Sequence, residues 1–259
     1  MNVQSSPIVF LHGFTGSAAV WSDVTNALPR TYNCHALDLP GHGARSELSD
    51  ATAFSFEGVC ELIADDLRHR DLDRVTLWGY SMGGRIALHF ALMYPRQISS
   101  LIIESASPGL PVRADRELRA KVDDELATRL LADGLEKFVD RWMDQPLFAS
   151  QKQLPVERQV QGRRLRMPNS VHGLAAALRG FSVGRQEPLH NRLRELTMPT
   201  LVTAGELDAK YREIGESMAH SIPNAQFRII PNAGHAPHWE RPVETAAVAA
   251  EFLSAAGNN

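Results

Sequence analysis

The run Gly79-Tyr80-Ser81-Met82-Gly83-Gly84 constrains this chain more than any other feature, because an apolar stretch enters it and a helical pattern leaves it. Residues 74–78 read as a buried strand, and residues 82–94 as a helix ended by Pro95. A strand that turns abruptly into a helix strains the residue at the corner and crowds the backbone around it, so side chains at the flanking positions would collide. Glycines around a single serine therefore predict a nucleophile elbow, with the Ser81 hydroxyl presented at the end of a parallel strand.

Parallel strands need crossover helices, and the rest of the chain supplies that alternation. Apolar runs at 7–11, 32–37, 98–103, 200–204 and 226–230 predict strands, and segments at 18–28, 56–68, 211–220 and 242–253 predict helices. The first strand begins within ten residues, so a trimmed sheet without a leading antiparallel hairpin is expected. Between 108 and 187 the alternation gives way to helical, Arg-rich sequence with few β-branched runs. The expected fold class is α/β: a mostly parallel sheet flanked by helices, with a core at 1–107 and 188–259 and a helical cap inserted at 108–187.

A serine hydroxyl is a poor base or nucleophile at neutral pH, so a histidine must take its proton and a carboxylate must orient that histidine. Ten histidines are available, and only His235 lies in a Gly-His turn just after the last predicted strand, Asn232-Ala233-Gly234-His235. His238 follows Pro237 and reads as the start of the next segment. For the acid, Gly205-Glu206-Leu207-Asp208 follows a strand at the sheet edge where open α/β folds bind ligands. Asp208 is the expected acid and Glu206 the alternative, while Asp38 reads as a loop cap. The predicted catalytic set is Ser81, Asp208 and His235. His12-Gly13-Phe14 ends the first strand, so the backbone N–H of Phe14 can join that of Met82 as an oxyanion hole, with His12 itself a structural hydrogen bonder in the loop.

Composition excludes several classes. A net charge of −3 provides no field that would draw the chain onto nucleic acid or an anionic membrane, and no apolar run approaches the ~20 residues a membrane span needs. Residues 1–4 lack the basic-then-apolar pattern of a leader, so a cytoplasmic location is expected. Cys34 and Cys60 have no metal-ligand spacing and read as small buried hydrophobes. With no HExxH, Cys/His cluster or dinucleotide fingerprint, no metal or organic cofactor is expected. Oligomeric state leaves no signal in the sequence.

HGFTG, DLPGHG, GYSMGGR, GELD and NAGH, in this order and over nearly the whole chain, resemble the α/β-hydrolase superfamily. Several stretches resemble one family within it, the 2-succinyl-6-hydroxy-2,4-cyclohexadiene-1-carboxylate synthases of menaquinone biosynthesis. These are Arg85 after the elbow, residues 104–110, Trp142 with residues 145–150, Arg166 with Asn169 and residues 173–175, and residues 208–211. The resemblance implies the α/β-hydrolase fold and a lyase that eliminates pyruvate from a small polycarboxylate. It implies Arg85, Arg119 and Arg166 as carboxylate-binding residues, with Tyr80, Trp142 and Lys210 lining the pocket. Arginine suits that work because its guanidinium is a planar, permanently charged fork. Arg113, Arg163 and Arg164 read instead as solvated surface charge. The same triad would serve a carboxylesterase or a carbon–carbon hydrolase, and the fold alone also admits a non-catalytic binding module. Converging arginines favour the lyase, and an apolar funnel favours the hydrolases.

Overall fold

The computed structural model describes residues 6–256, so residues 1–4, on which the reading of a missing leader rests, lie outside it. In chain order the elements are β1 (Ile8–Leu11), α1 (Ser22–Ala27), β2 (Cys34–Leu37), α2 (Phe56–His69), β3 (Val75–Tyr80), α3 (Met82–Met93) and β4 (Ile98–Glu104). Four helices follow, α4 (Arg113–Asp133), α5 (Leu135–Met143), α6 (Val156–Arg164) and α7 (Val171–Gly180). The alternation then resumes with β5 (Thr200–Gly205), α8 (Ala209–Ser221), β6 (Ala225–Ile230), the single turn α9 (Pro237–Glu240) and α10 (Pro242–Ala256).

The six strands form one sheet in the order β2-β1-β3-β4-β5-β6, and every pairing among the described residues is parallel. All six residues of β3 are buried, as expected of a central strand covered on both faces. One face of the sheet packs Val9, Leu77 and Ile103 under Ile63, Ile86 and Met218 from α2, α3 and α8. The other packs Phe10, Trp78 and Ile102 under Trp21, Val24 and Phe252. Phe10 sits 5.0 Å from Trp21 and 5.3 Å from Trp78, ring centre to ring centre.

Two expectations need correction. The segment at 18–28 is not one helix: a 3-10 turn at Ala18–Trp21 precedes α1, which ends before Leu28 and Pro29 because proline restricts the residue before it to extended conformations. Cys60 is buried, but Cys34 lies on the edge strand β2 and is only half-buried. The strand predicted at 226–230 is present as β6, at the other edge of the sheet, where Arg228 and Ile229 are exposed.

Helices α4 to α7 stand between β4 and β5 in sequence and have a small core of their own, in which Ala127, Leu130, Phe138, Leu174 and Leu178 pack together. Phe14, from the loop after β1, packs against this cluster and links it to the sheet. Ser170 caps α7 by accepting a hydrogen bond from the Gly173 N–H at 2.9 Å. Gly173 then runs so close to the core loops that a Cβ there would lie 2.2 Å from the Ser46 carbonyl oxygen. Among the described residues no helix is long and apolar enough to cross a membrane.

Candidate active site

Ser81 stands between β3 and α3 with φ 50° and ψ −108°, a strained conformation for a residue with a side chain. It is held from both sides: its N–H donates to the Glu104 carbonyl at 2.9 Å, and the glycines let neighbouring backbone close in. A Cβ on Gly79 would lie 2.3 Å from the Gly83 oxygen, and one on Gly83 2.3 Å from the Leu11 oxygen. Gly83→Ala is therefore expected to destabilise the protein by about 3 kcal/mol, the upper end of ordinary overpacking, because the obstacle is backbone that cannot repack. Urea unfolding of the purified variant measures this, and an unchanged midpoint would contradict it.

The loop after β6 brings His235 over the elbow. Its Nε2 lies 3.2 Å from the Ser81 Oγ, and its Nδ1 lies 2.7 Å from Oδ2 of Asp208, which follows β5. Asp208 and His235 are both buried. With Nδ1–H donating to the carboxylate, Nε2 is left as the acceptor for the serine hydroxyl. The other oxygen of Asp208 accepts the Tyr211 N–H at 3.3 Å and caps α8, which fixes the carboxylate against rotation. Phe14 and Met82 both line the pocket above Ser81, and no hydrogen bond among the described residues engages either backbone N–H.

The competing residues have other partners. Glu206 accepts the N–H of Asn232 at 2.8 Å and so braces the histidine loop from below. His238 is bonded to Glu104, Nδ1 to Oε1 at 2.6 Å, and its ring lies between Trp21 and Tyr80. Asp38 accepts the N–H groups of Ala18 and Ala44.

His12 and His42 are buried acceptors, taking the N–H of Leu39 and Thr15 respectively. Burial holds His12 down to about 4 and His42 well below its ordinary value; His89, buried beside Arg85, is also lowered to about 4. Above pH ~6.5 these imidazoles are neutral folded or unfolded; between about 6.5 and 4 the unfolded chain takes up protons that the folded one refuses. Each group then removes up to ~1.4 kcal/mol of stability per pH unit as pH falls. A melting temperature about 5 °C or more lower at pH 5 than at pH 7.5 is expected, and a flat profile would refute the neutral-histidine assignment.

A cavity of about 410 Å³ opens above Ser81 and His235. Tyr80, Arg85, Arg119, Trp142 and Lys210 all line it. Arg85, in the first turn of α3, is the notable one. It reaches the neutral Oε1 of Gln186 at 3.4 Å, its guanidinium lies 5.7 Å from the centre of the Phe56 ring, and none of the ion pairs among the described residues includes it. Burial draws it down to about 10, which still leaves it charged at neutral pH. Arg119 is more exposed, and its Nε meets both oxygens of the buried Asp123 at 2.9 and 3.0 Å, while Ser182 donates to the same carboxylate at 2.6 Å.

Arg166 lies elsewhere. It lines a separate cavity of about 30 Å³ bounded by Phe14, Tyr80 and Phe148, with Nε bonded to Thr15 and Nη1 to the Gly162 carbonyl at 2.5 Å. Two of the three arginines thus share the main pocket and the third sits behind Tyr80. Arg113 and Arg163 pair with Glu117 and Asp140 at the surface, and Arg164 is exposed. Sequence reasoning missed Asp123, Gln186 and Tyr211, whose ring lies 4.6 Å from that of His235. Asp123 could have been found, since it follows Arg119 by four residues on one helix face. Gln186 could not, being 101 residues from Arg85.

A parallel sheet with a serine elbow after β3, an acid after β5 and a histidine loop after β6 defines the α/β-hydrolase fold, and the family model described as alpha/beta hydrolase fold matches residues 6–242. The particular relatives are more specific. The 2-succinyl-6-hydroxy-2,4-cyclohexadiene-1-carboxylate synthase of Enterobacter sp. (strain 638) is 37% identical over 246 residues, 95% of this chain and 91% of that one. The solved structure of MenH from S. aureus superposes with a TM-score of 0.94 at 39% identity, over 100% of this chain and 97% of the other. A malate-bound thermophilic esterase from Thermogutta terrifontis is also similar, with TM-score 0.86 and 26% identity over 98% and 91% of the two chains. The chain belongs to the 2-succinyl-6-hydroxy-2,4-cyclohexadiene-1-carboxylate synthase family of the α/β-hydrolase fold.

Proposed function

We propose that this enzyme eliminates pyruvate from 2-succinyl-5-enolpyruvyl-6-hydroxy-3-cyclohexene-1-carboxylate to give 2-succinyl-6-hydroxy-2,4-cyclohexadiene-1-carboxylate, a cytoplasmic step of menaquinone biosynthesis. The observation that carries this reading is Arg85, a desolvated guanidinium that makes no ion pair among the described residues and faces the pocket over Ser81. A partly buried cation that no carboxylate pairs with directly, Asp123 acting on it only at a distance, is unfavourable in the empty protein, and a substrate carboxylate would supply the direct partner. Arg119 and Lys210 line the same pocket and suit a substrate with several carboxylates. Helices α4 to α7 act as the cap, corresponding to residues 108–187, and contribute Arg119 and Trp142 to the pocket wall.

In the proposed mechanism the Ser81 oxygen removes the ring proton next to the succinyl ketone as its own proton passes to His235 Nε2, with Asp208 holding the imidazole. Charge develops on the ketone oxygen, where the N–H groups of Phe14 and Met82 stabilise it. The ring electrons then shift so that the double bond at carbon 3 becomes the 2,4-diene, the bond from carbon 5 to the enolpyruvyl oxygen breaks, and pyruvate leaves as its enolate. The proton held by the serine–histidine pair is returned to that enolate. No acyl-enzyme forms and no external oxidant or reductant is needed.

The reading is tested by adding purified protein to the enolpyruvyl cyclohexene, freshly generated by the preceding enzyme, and following diene absorbance and pyruvate together. Rapid, equimolar formation of both is the expected result. If the intermediate decays no faster than in buffer while simple esters are cleaved, the lyase reading fails and the esterase reading, in which Ser81 attacks a carbonyl, replaces it.

A further inference from the structure

We infer that Glu240 is a positioning residue for His235: its two carboxyl oxygens hold the backbone on either side of the imidazole and set how the ring meets Ser81. Oε2 accepts the N–H of Gly234 at 2.7 Å, and Oε1 accepts the N–H of Ala236 at 3.2 Å. The whole stretch from 233 to 240 is buried, so neither N–H can turn to bulk water if the carboxyl group is removed. Glu240 closes α9, and its own N–H donates back to the Ala236 carbonyl at 2.9 Å, so the side chain is anchored to the segment it braces.

After the histidine, His238 ties α9 to Glu104 through its N–H and its ring, and the other backbone ties of the loop lie before the histidine. Asn232, at φ 55°, gives its N–H to Glu206, and the Ala233 carbonyl accepts from Leu207 at 2.8 Å. Those bonds fix the loop to the Asp208 side of the site and leave Gly234 and Ala236 to Glu240. There is little room for the loop to relax, since a Cβ on Gly234 would lie 2.0 Å from the Ser150 Oγ. Two converging N–H donors need two acceptor atoms on one rigid plane. A carboxyl group offers both, whereas an amide offers one and turns a donor toward the other.

The inference rests on the catalytic reading of Ser81 and His235, and it holds whatever the substrate. Its test therefore uses two readouts on Glu240→Gln and Glu240→Asp: steady-state pyruvate release, and the second-order rate at which a fluorophosphonate labels Ser81. A loop shift of about 1 Å is enough to lower catalysis by about 10²-fold. The expected result for Glu240→Gln is a fall of that order in both kcat and labelling rate, with KM within twofold and the far-UV circular dichroism unchanged. Glu240→Asp, which keeps both acceptors, is expected to recover a large part of each. If labelling falls in Glu240→Gln while no variant releases pyruvate, the positioning role stands and the lyase reading fails. Values of kcat and labelling rate within threefold of the parent, or equal loss in both variants accompanied by loss of folded structure, would overturn the positioning role.

Discussion

Ser81→Ala is expected to lower pyruvate release by at least about 10³-fold at saturating substrate, near the upper end of what a positioned proton-transfer group contributes. The geometry gives the reason. His235 Nε2 lies 3.2 Å from the Ser81 oxygen, and its Nδ1 is committed to Asp208 at 2.7 Å, so the imidazole reaches the substrate through the serine. His235→Ala should therefore lose about as much as Ser81→Ala, and the double variant little more than either, because groups that act as one unit are not additive. Asp208→Asn leaves the ring in place but favours the wrong tautomer, and a loss of about 10³- to 10⁴-fold is expected. Diene absorbance in single turnovers, with pyruvate measured in parallel, distinguishes these cases. A Ser81→Ala variant that keeps a tenth of the activity while His235→Ala keeps none would show that the imidazole takes the ring proton directly, and the serine would then lose its role as the base.

The parts of this site that were legible in the sequence are those whose geometry is enforced locally. Gly79 and Gly83 are required because backbone oxygens lie 2.3 Å from where their Cβ atoms would be, and that crowding belongs to the strand-to-helix corner itself. Gly234 marks the histidine loop for a similar reason, as Ser150 fills the space its side chain would take. The presence of β3, β4 and β5 followed from their apolar runs, since buried parallel strands need no alternation. The position of Arg166 was not legible because contacts remote in sequence decide it. Asn169 donates to the Thr15 carbonyl at 2.8 Å and accepts the Gly43 N–H at 2.9 Å, tying the end of the α6 segment to two core loops more than 120 residues away. Arg166 is thereby drawn to Thr15, behind Tyr80. The roles of Glu104 and Glu240 were not legible for the same reason, because only the fold sets one against His238 and the other around His235.

Arg85→Met is expected to change activity and stability in opposite directions. Arg85 is a pocket cation that makes no ion pair among the described residues, and burial has already drawn its guanidinium down to about 10, a sign that the empty site holds the charge against a desolvation penalty. Replacing a part-buried charge that Asp123 compensates only at a distance by an apolar side chain of similar length removes much of that penalty, so a gain of about 1 kcal/mol and a higher melting temperature are expected in the absence of ligand. The same change strips a charge-assisted, bidentate contact from a bound carboxylate, and kcat/KM should fall by about 10²- to 10³-fold, mostly through KM. Arg85→Lys should not restore it, because an ammonium cannot reproduce the planar fork. Succinate distinguishes this account from a general loosening of the pocket: as a dicarboxylate it should raise the melting temperature of the parent protein and leave that of Arg85→Met unmoved. A variant that is both less stable and unchanged in KM would mean that Arg85 is held for structure by Gln186 and Phe56, and the polycarboxylate assignment would lose its main support.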